Sequence, residues 1–331
     1  MLEAVTLPYQ ENPALWDLLL ANDPIQYPLG FPSDQTYSHV YAPQWQFQDL
    51  SLMVHDKDVP LAGLQITLST GPEGQQELNF YGRQAYLRLN QKTDRLALEK
   101  AQKSLAASFL KLYESLGKPD LNFLEMCIEG NLSHFAIIML SEGAIANPLY
   151  KQIIDLNLPE NELRRDLRKS YKSLITWGEK NIALTTYGPQ NVTSADMEKF
   201  RQIHIKVSGR ETKPKAAWER QYQQIVDGES FIILGEIGQE LVTSGLFVHS
   251  PSFCFYGVSA SIREMFDKPL AHIIIWQAII EAKRRGCRYL ELGDLPYLYK
   301  DKHTEKENNI SIFKRGFGGQ ARVFLQISFP Q

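Results

Sequence analysis

Between Leu96 and Leu116 apolar residues recur every three or four positions, and Gly117 and Pro119 follow, so the pattern predicts a long amphipathic helix capped by Thr93 or Asp94. Before it, NPALWDLLLAN predicts a short helix over Asn12–Asn22, with Pro13 in its first turn and Leu15, Trp16, Leu18 and Leu19 on its apolar side. Pro, Gly and Tyr punctuate residues 24–43, which read as irregular. Strands follow near Leu50–Asp56 and Leu61–Ser69, joined through Lys57 and Asp58, and GPEGQ supplies the next turn. A strand at Asn122–Glu129, a helix at Leu132–Glu142 ended by Gly143 and a strand at Tyr150–Leu156 complete the first half.

The second half opens on a helix that starts at Pro159 and ends at Gly178. A strand at Ile182–Tyr187 precedes two helices, Ser194 to about Val207 and Lys215–Asp227. Three strands in a meander follow at Phe231–Ile237, Leu241–His249 and Ser252–Ala260. A long apolar helix, Pro269–Arg285, leads through Gly286 to a strand at Arg288–Leu292. A short helical turn near 309–315 and a strand at Ala321–Ser328 finish the chain.

A chain of 331 residues exceeds what one core usually serves, so two domains are expected, at 1–157 and 158–331. Lys and Arg total 35 against 38 Asp and Glu, a net charge of −3, which argues against a duplex-DNA binder. The longest apolar runs, AIIML and HIIIWQAII, fall short of the about 20 residues that span a bilayer. The start, MLEAVTLPYQENP, lacks the basic and apolar regions of a signal peptide, so a cytoplasmic protein is expected. Cys127, Cys254 and Cys287 are too dispersed for a disulfide scaffold or zinc ribbon and read as buried thiols. HExxH, Walker, G-x-S-x-G and dinucleotide fingerprints are all absent from the sequence.

The second-half order, β-α-α-β-β-β-α-β-α-β, is that of an N-acetyltransferase (GNAT) domain, a mixed sheet with helices on both faces. Specific phrases then align. HIIIWQAIIEAKRRGCRYLELGD at 272–294, followed by NISIFKRGFGG at 309–319, resembles the FemAB/FemX-like transferases of the GNAT superfamily. LRRDLRKSYKSLITWGEKNI at 163–182 resembles their basic opening helix, and FRQIHIKVSGRETKPKAAWERQ at 200–221 the link between the next two helices. The first 155 residues match in element order alone. The resemblance implies an α/β (α+β) fold of tandem GNAT-like domains, each a mixed central sheet flanked by helices, with the first domain degenerate. It also implies acyl or aminoacyl transfer onto an amine. The long helical hairpin of many aminoacyl-tRNA-dependent members is absent, and the turn SASIREMFDKPLAH lacks the glycines of a CoA pyrophosphate cradle.

Lys314 is the first catalytic candidate, because a fixed cation stabilises the tetrahedral oxyanion of acyl transfer. FKRGFGG would place it at a helix end, with three glycines permitting close approach to a ligand, and Phe317 and Gly318 as substrate contacts. A basic turn before a strand is the alternative. Asp294, after YLELGD, is the second: it can receive a proton from the attacking amine or orient it, or merely cap the next turn. Tyr297 and Tyr299 in the same loop are candidate walls of the acceptor site.

In FemX-like proteins the link carrying Arg210 and Lys213 grips an anionic acceptor, and these residues resemble its basic positions. A solvated loop explains them as well. Arg164, Arg168 and Lys172 fall at i, i+4 and i+8 of the expected helix, with Arg165 and Lys169 beside them, a face suited to tRNA or to solvent. His272 and Trp276 share a face of the central helix, and Tyr256 and Ser259 lie on the strand before it. In a GNAT-like sheet these positions border the cleft, although a lone His among Ile and Trp also suits a core.

The expected enzyme is therefore an acyl- or aminoacyltransferase acting on an amino group of a peptidoglycan precursor or a surface-polysaccharide amino sugar. Acyl-CoA-dependent N-acylation of small molecules and non-catalytic ligand binding on a GNAT-like fold are the alternatives. Neither a metal nor a tightly bound cofactor is expected; the donor is aminoacyl-tRNA or acyl-CoA. The expected partner is an anionic or nucleotide-linked acceptor, with tRNA as a further candidate.

Overall fold

Apolar side chains collect into two separate large cores, one around Leu64, Leu105, Phe109 and Phe135 and the other around Phe200, Phe231, Phe247 and Ile274. The computed structural model describes residues 3–127, 130–265, 267–296 and 304–330. It divides into two compact units, Met1–Leu149 with Arg322–Gln331, and Tyr150–Ala321. The expected boundary at 157/158 thus moves forward, and the C-terminal segment returns to the first unit, where Ile327 enters the core. Pairing between residues this far apart in sequence leaves no local signal.

The first unit runs β1 (Ala4–Thr6), α1 (Pro13–Asn22), α2 (Pro32–Tyr41), β2 (Gln46–Asp49), β3 (Leu52–Asp56), β4 (Val59–Gln65), β5 (Thr67–Thr70), β6 (Gln76–Asn79), β7 (Ala85–Leu89), α3 (Arg95–Ser115), β8 (Asp120–Leu121), β9 (Phe123–Glu125) and α4 (His134–Ser141). Asp94 caps α3, its carboxylate accepting from the amides of Leu96 and Ala97 at 3.0 Å. Its buried stripe is Ala101, Leu105, Ala106, Phe109 and Tyr113. On α1 the buried apolar side includes Leu20, while Leu18 faces solvent. The stretch expected to be irregular contains α2, whose mixed polar sequence gives no apolar stripe. The loop before α2 is pinned by the fully buried Arg88, which bonds Asp23 at 3.0 Å, Gln65 at 2.7 Å and the Tyr27 carbonyl at 3.0 Å.

The second unit contains most of β10 (Ile145–Asp155), then α5 (Glu160–Asp166), α6 (Lys169–Asn181), β11 (Ala183–Tyr187), α7 (Ser194–Ser208), α8 (Lys215–Val226), β12 (Ser230–Ile237), β13 (Glu240–His249), β14 (Phe253–Ser261), α9 (Leu270–Arg284), β15 (Tyr289–Asp294) and α10 (Glu305–Arg315). The chain closes with β16 (Gln320–Ser328), which pairs antiparallel to β9 in the first unit. In the second unit the strand order is β10-β15-β14-β13-β12-β11, with β14 and β15 parallel and the other pairs described antiparallel. The unbroken buried runs of β12 and β13 show that both sheet faces are covered. Helix α7 begins at a reciprocal Thr193–Asp196 capping box.

The helix expected from Pro159 to Gly178 is two helices. Leu167 and Arg168 are extended between α5 and α6, and α6 continues through Gly178, which lies against Ile273 of α9. The break has a clear cause. The Arg168 amide donates to the Gly316 carbonyl at 2.9 Å, its guanidinium to Ile312 O at 3.0 Å, and the Tyr171 hydroxyl to Phe313 O at 3.2 Å. The start of α6 thereby supplies donors to carbonyls at the end of α10, where the helix itself runs out of amides.

The glycines of GFGG are packed closely against the protein itself. Gly318 lies against Asp166, and a Cβ on Gly319 would meet the Ile153 carbonyl oxygen at 2.3 Å. With Gly319 also at φ +74°, Gly319→Ala is expected to destabilise the protein by about 2 kcal/mol or more, read from its urea midpoint.

Candidate active site

The parallel pair β14/β15 holds together for three residue pairs, Phe253–Tyr289, Cys254–Leu290 and Phe255–Glu291. Beyond them β14 follows β13 to Ser261, while β15 follows β10 to Asp294. A bulge on β14 marks the parting, since Leu246 opposes Val258 but Phe247 opposes Tyr256. The two strands therefore open a wedge at the carboxyl end of β15, where ligand groups commonly sit in α/β sheets.

One rim of the wedge carries a cluster of four charges. Lys151 on β10 reaches both Glu291, at 2.7 Å, and Asp294, at 3.2 Å. Glu291 has no solvent exposure, whereas the Asp294 side chain is 74% exposed. Lys314, in the last turn of α10, donates from Nζ to the Asp294 carbonyl at 2.9 Å. An ammonium has three N–H donors, so Lys314 has two more to offer.

A bulge in β15 makes this cluster possible. Gln152 opposes Gly293 and Ile153 opposes Glu291, leaving Leu292 as the extra residue. Residues three apart on a regular strand point to opposite faces, but the added residue restores Glu291 and Asp294 to the same side. Gly293 adopts φ +89°, and Lys314 Nζ would lie 3.1 Å from a Cβ there. Burial alone would lower the Lys151 ammonium, but Glu291 and Asp294 outweigh it and push it above its ordinary value. The Lys314 ammonium is lowered, mainly by burial, with Asp294 and Glu291 opposing and Lys151 assisting.

Lys314 and Asp294 are thus brought together. Tyr256 and Ser259 occupy the β14 side, their hydroxyls hydrogen-bonded to each other. His272, Trp276 and Phe317 serve packing. The His272 ring meets Tyr171 at 4.5 Å, Phe313 at 5.1 Å and Phe317 at 6.0 Å, and burial lowers it to about 4. Phe317 and Trp276 belong to the core, and Arg164 covers the Trp276 ring while pairing with Glu179. Tyr297 and Tyr299 lie outside the described residues.

Arg210 is exposed in the α7–α8 link, but Lys213 turns inward, donating to Gln221 at 2.7 Å with its Nζ 3.8 Å from the Trp218 ring centroid. The basic run also separates. Arg168 turns to α10 and Lys172 to the Arg165 carbonyl, so the one-face reading of residues 164–172 fails with the helix break.

No protein-family model matches the chain, and no curated protein sequence does. Solved structures do. FemX superposes with a TM-score of 0.69 over 98% of this chain and 96% of its own, at 11% identity. The fold is that of FemX. The C-terminal domain of a putative lysylphosphatidylglycerol synthetase from Agrobacterium fabrum follows at TM-score 0.59, 8% identity, covering 96% of this chain and 92% of that domain. A tandem GNAT protein from the clavulanic acid biosynthesis pathway matches at TM-score 0.51 and 14% identity, with full coverage of both chains. The FemX-type fold is thus a tandem GNAT-type arrangement, and helices long and apolar enough to cross a membrane are absent among its described residues.

Two members of the charge cluster, Lys151 and Glu291, escaped the sequence reading. Their signal was present: LYKQIID and YLELGD each set a charge inside an apolar strand, where burial requires a partner. Lys213 offers a check on the electrostatics of this FemX-type unit. Burial lowers its ammonium to about 8, so from pH 8 to about 10.4 the unfolded chain holds the extra proton. Its contribution to stability is complete above that window and is lost as pH falls through 8. The stability of the parent relative to Lys213→Met is expected to rise from pH 8 to 10, measured by urea unfolding at each pH.

Proposed function

We propose that this chain transfers an acyl or aminoacyl group to an amine, forming an amide on a cell-wall precursor or an amino sugar of a surface polysaccharide. The observation that carries the reading is the pairing of Lys314 and Asp294 at the mouth of the β14/β15 wedge, in a FemX-type fold. The likeness to the C-terminal domain of a putative lysylphosphatidylglycerol synthetase agrees with an aminoacyl transfer.

The proposed chemistry uses the two groups in complementary ways. The neutral amine attacks the carbonyl carbon of an activated ester or thioester, forming the C–N bond and a tetrahedral oxyanion. Lys314 donates to that oxyanion. The exposed carboxylate of Asp294 takes the proton released by the attacking nitrogen. Collapse breaks the bond to the ester oxygen or thioester sulfur, which departs with the electron pair and takes up the proton held by Asp294, leaving as the free hydroxyl or thiol and restoring the carboxylate. Arg210, exposed on its loop, is proposed to meet the phosphate or carboxylate of the acceptor.

The donor is proposed to be aminoacyl-tRNA or acyl-CoA, and calorimetry with purified aminoacyl-tRNA and with acetyl-CoA separates them. CoA binding without tRNA binding would remove the tRNA form of the proposal. Lys314→Met is expected to lower kcat by about 100-fold to 1000-fold with little change in KM, as for loss of an oxyanion donor. Unchanged turnover in that variant would overturn the assignment.

A further inference from the structure

A carboxylate as exposed as Asp294 ordinarily samples several rotamers, and the main-chain carbonyl on which Lys314 rests lies at the last residue of its strand. Here the strand end is held from beneath. Lys151 enters from β10, is 8% exposed, and is itself fixed by the fully buried Glu291. Its second contact, to Asp294 Oδ1 at 3.2 Å, holds one carboxylate oxygen and leaves Oδ2 for the site. The register bulge at Leu292 turns both acids toward the same lysine, and Gly293 admits Lys314 over the strand.

We propose that Lys151 is a positioning residue for the transfer proposed above, on which this rests: anchored by Glu291, its ammonium fixes the Asp294 carboxylate and so the strand end that holds Lys314. Lys151 has no part in the bond changes. Asp294 receives the proton and Lys314 stabilises the oxyanion, while Lys151 keeps both at the spacing the reaction needs. The arrangement also sets two ammonium groups against two carboxylates, so the cluster is electrically balanced before substrate arrives.

Lys151→Met alone strands the Glu291 charge and endangers folding, so the decisive variant is Lys151→Met/Glu291→Gln, which removes both charges at nearly constant volume. Lys151→Arg, which keeps the cation, is the conservative companion and gives a second reading if the double variant fails to fold. Crystal structures of the full-length variants report the Asp294 and Lys314 positions, and steady-state transfer assays report kcat and KM.

In the double variant the Lys314–Asp294 carbonyl hydrogen bond is expected to be lost, with kcat down by about 100-fold and KM changed by less than about twofold. Lys151→Arg is expected to keep the hydrogen bond and recover at least about a tenth of parental kcat. Unaltered Asp294 and Lys314 geometry in the double variant overturns the inference, and so does displacement of both groups in Lys151→Arg with kcat intact. If the parent transfers no acyl group from either donor, the proposed function fails by itself, and the crystallographic comparison still decides whether Lys151 positions the cluster.

Discussion

Glu291 is a carboxylate placed where water does not reach, in the strand that ends at the site. Such a charge is tolerated inside a sheet only with a close partner, and breaking a buried pair of this kind costs about 3–5 kcal/mol. Lys151 meets that demand from the neighbouring strand at 2.7 Å. The pair bridges β10 and β15 beside the bulge that presents Asp294 to the same lysine. A constraint that begins as the solvation of one buried carboxylate thus ends as the geometry of the exposed groups above it.

The first unit shows what the same strand does without that partner. There β7 and β9 are parallel, as β14 and β15 are, and FLE in β9 corresponds to YLE in β15. Glu125 stands where Glu291 does, opposite Leu325 of β16 as Glu291 stands opposite Ile153 of β10. Its carboxylate accepts from the Ser133 amide at 2.6 Å and the Ser133 hydroxyl at 2.9 Å, and burial raises it toward the neutral form. Two hydroxyl and amide donors stabilise an acid locally; they do not carry a charge onward to a strand end.

Lys314 depends on a second support, the seam between α10 and α6. Phe313 and Phe317 pack with Tyr171 and His272, while Arg168 and Tyr171 bond the final carbonyls of α10. Arg168, which the linear pattern offers to a polyanion, is therefore structural, and the helix breaks at Leu167 and Arg168 so that its amide can reach Gly316. Lys213 underwent the same reversal, exchanging an expected anionic ligand for Gln221 and the face of Trp218.

The sequence by itself determined the elements from β11 to β15, because α7, α8, α9 and the β12–β14 meander each carry their own periodicity and their own stop signals. It also offered Lys314 and Asp294 as candidates from their local phrases, and the fold brings the two together. It could not place α2, whose residues have no apolar stripe, nor the return of β16 to the first core. Tertiary structure alone decided that Lys151 stands between Glu291 and Asp294, that the glycines after Lys314 pack on Ile153 and Asp166, and that the basic helix is broken. The reason is common to all of these. Each depends on strand register or on close approach between residues distant in sequence, and a one-residue bulge, invisible along the chain, determines which side chains share a face.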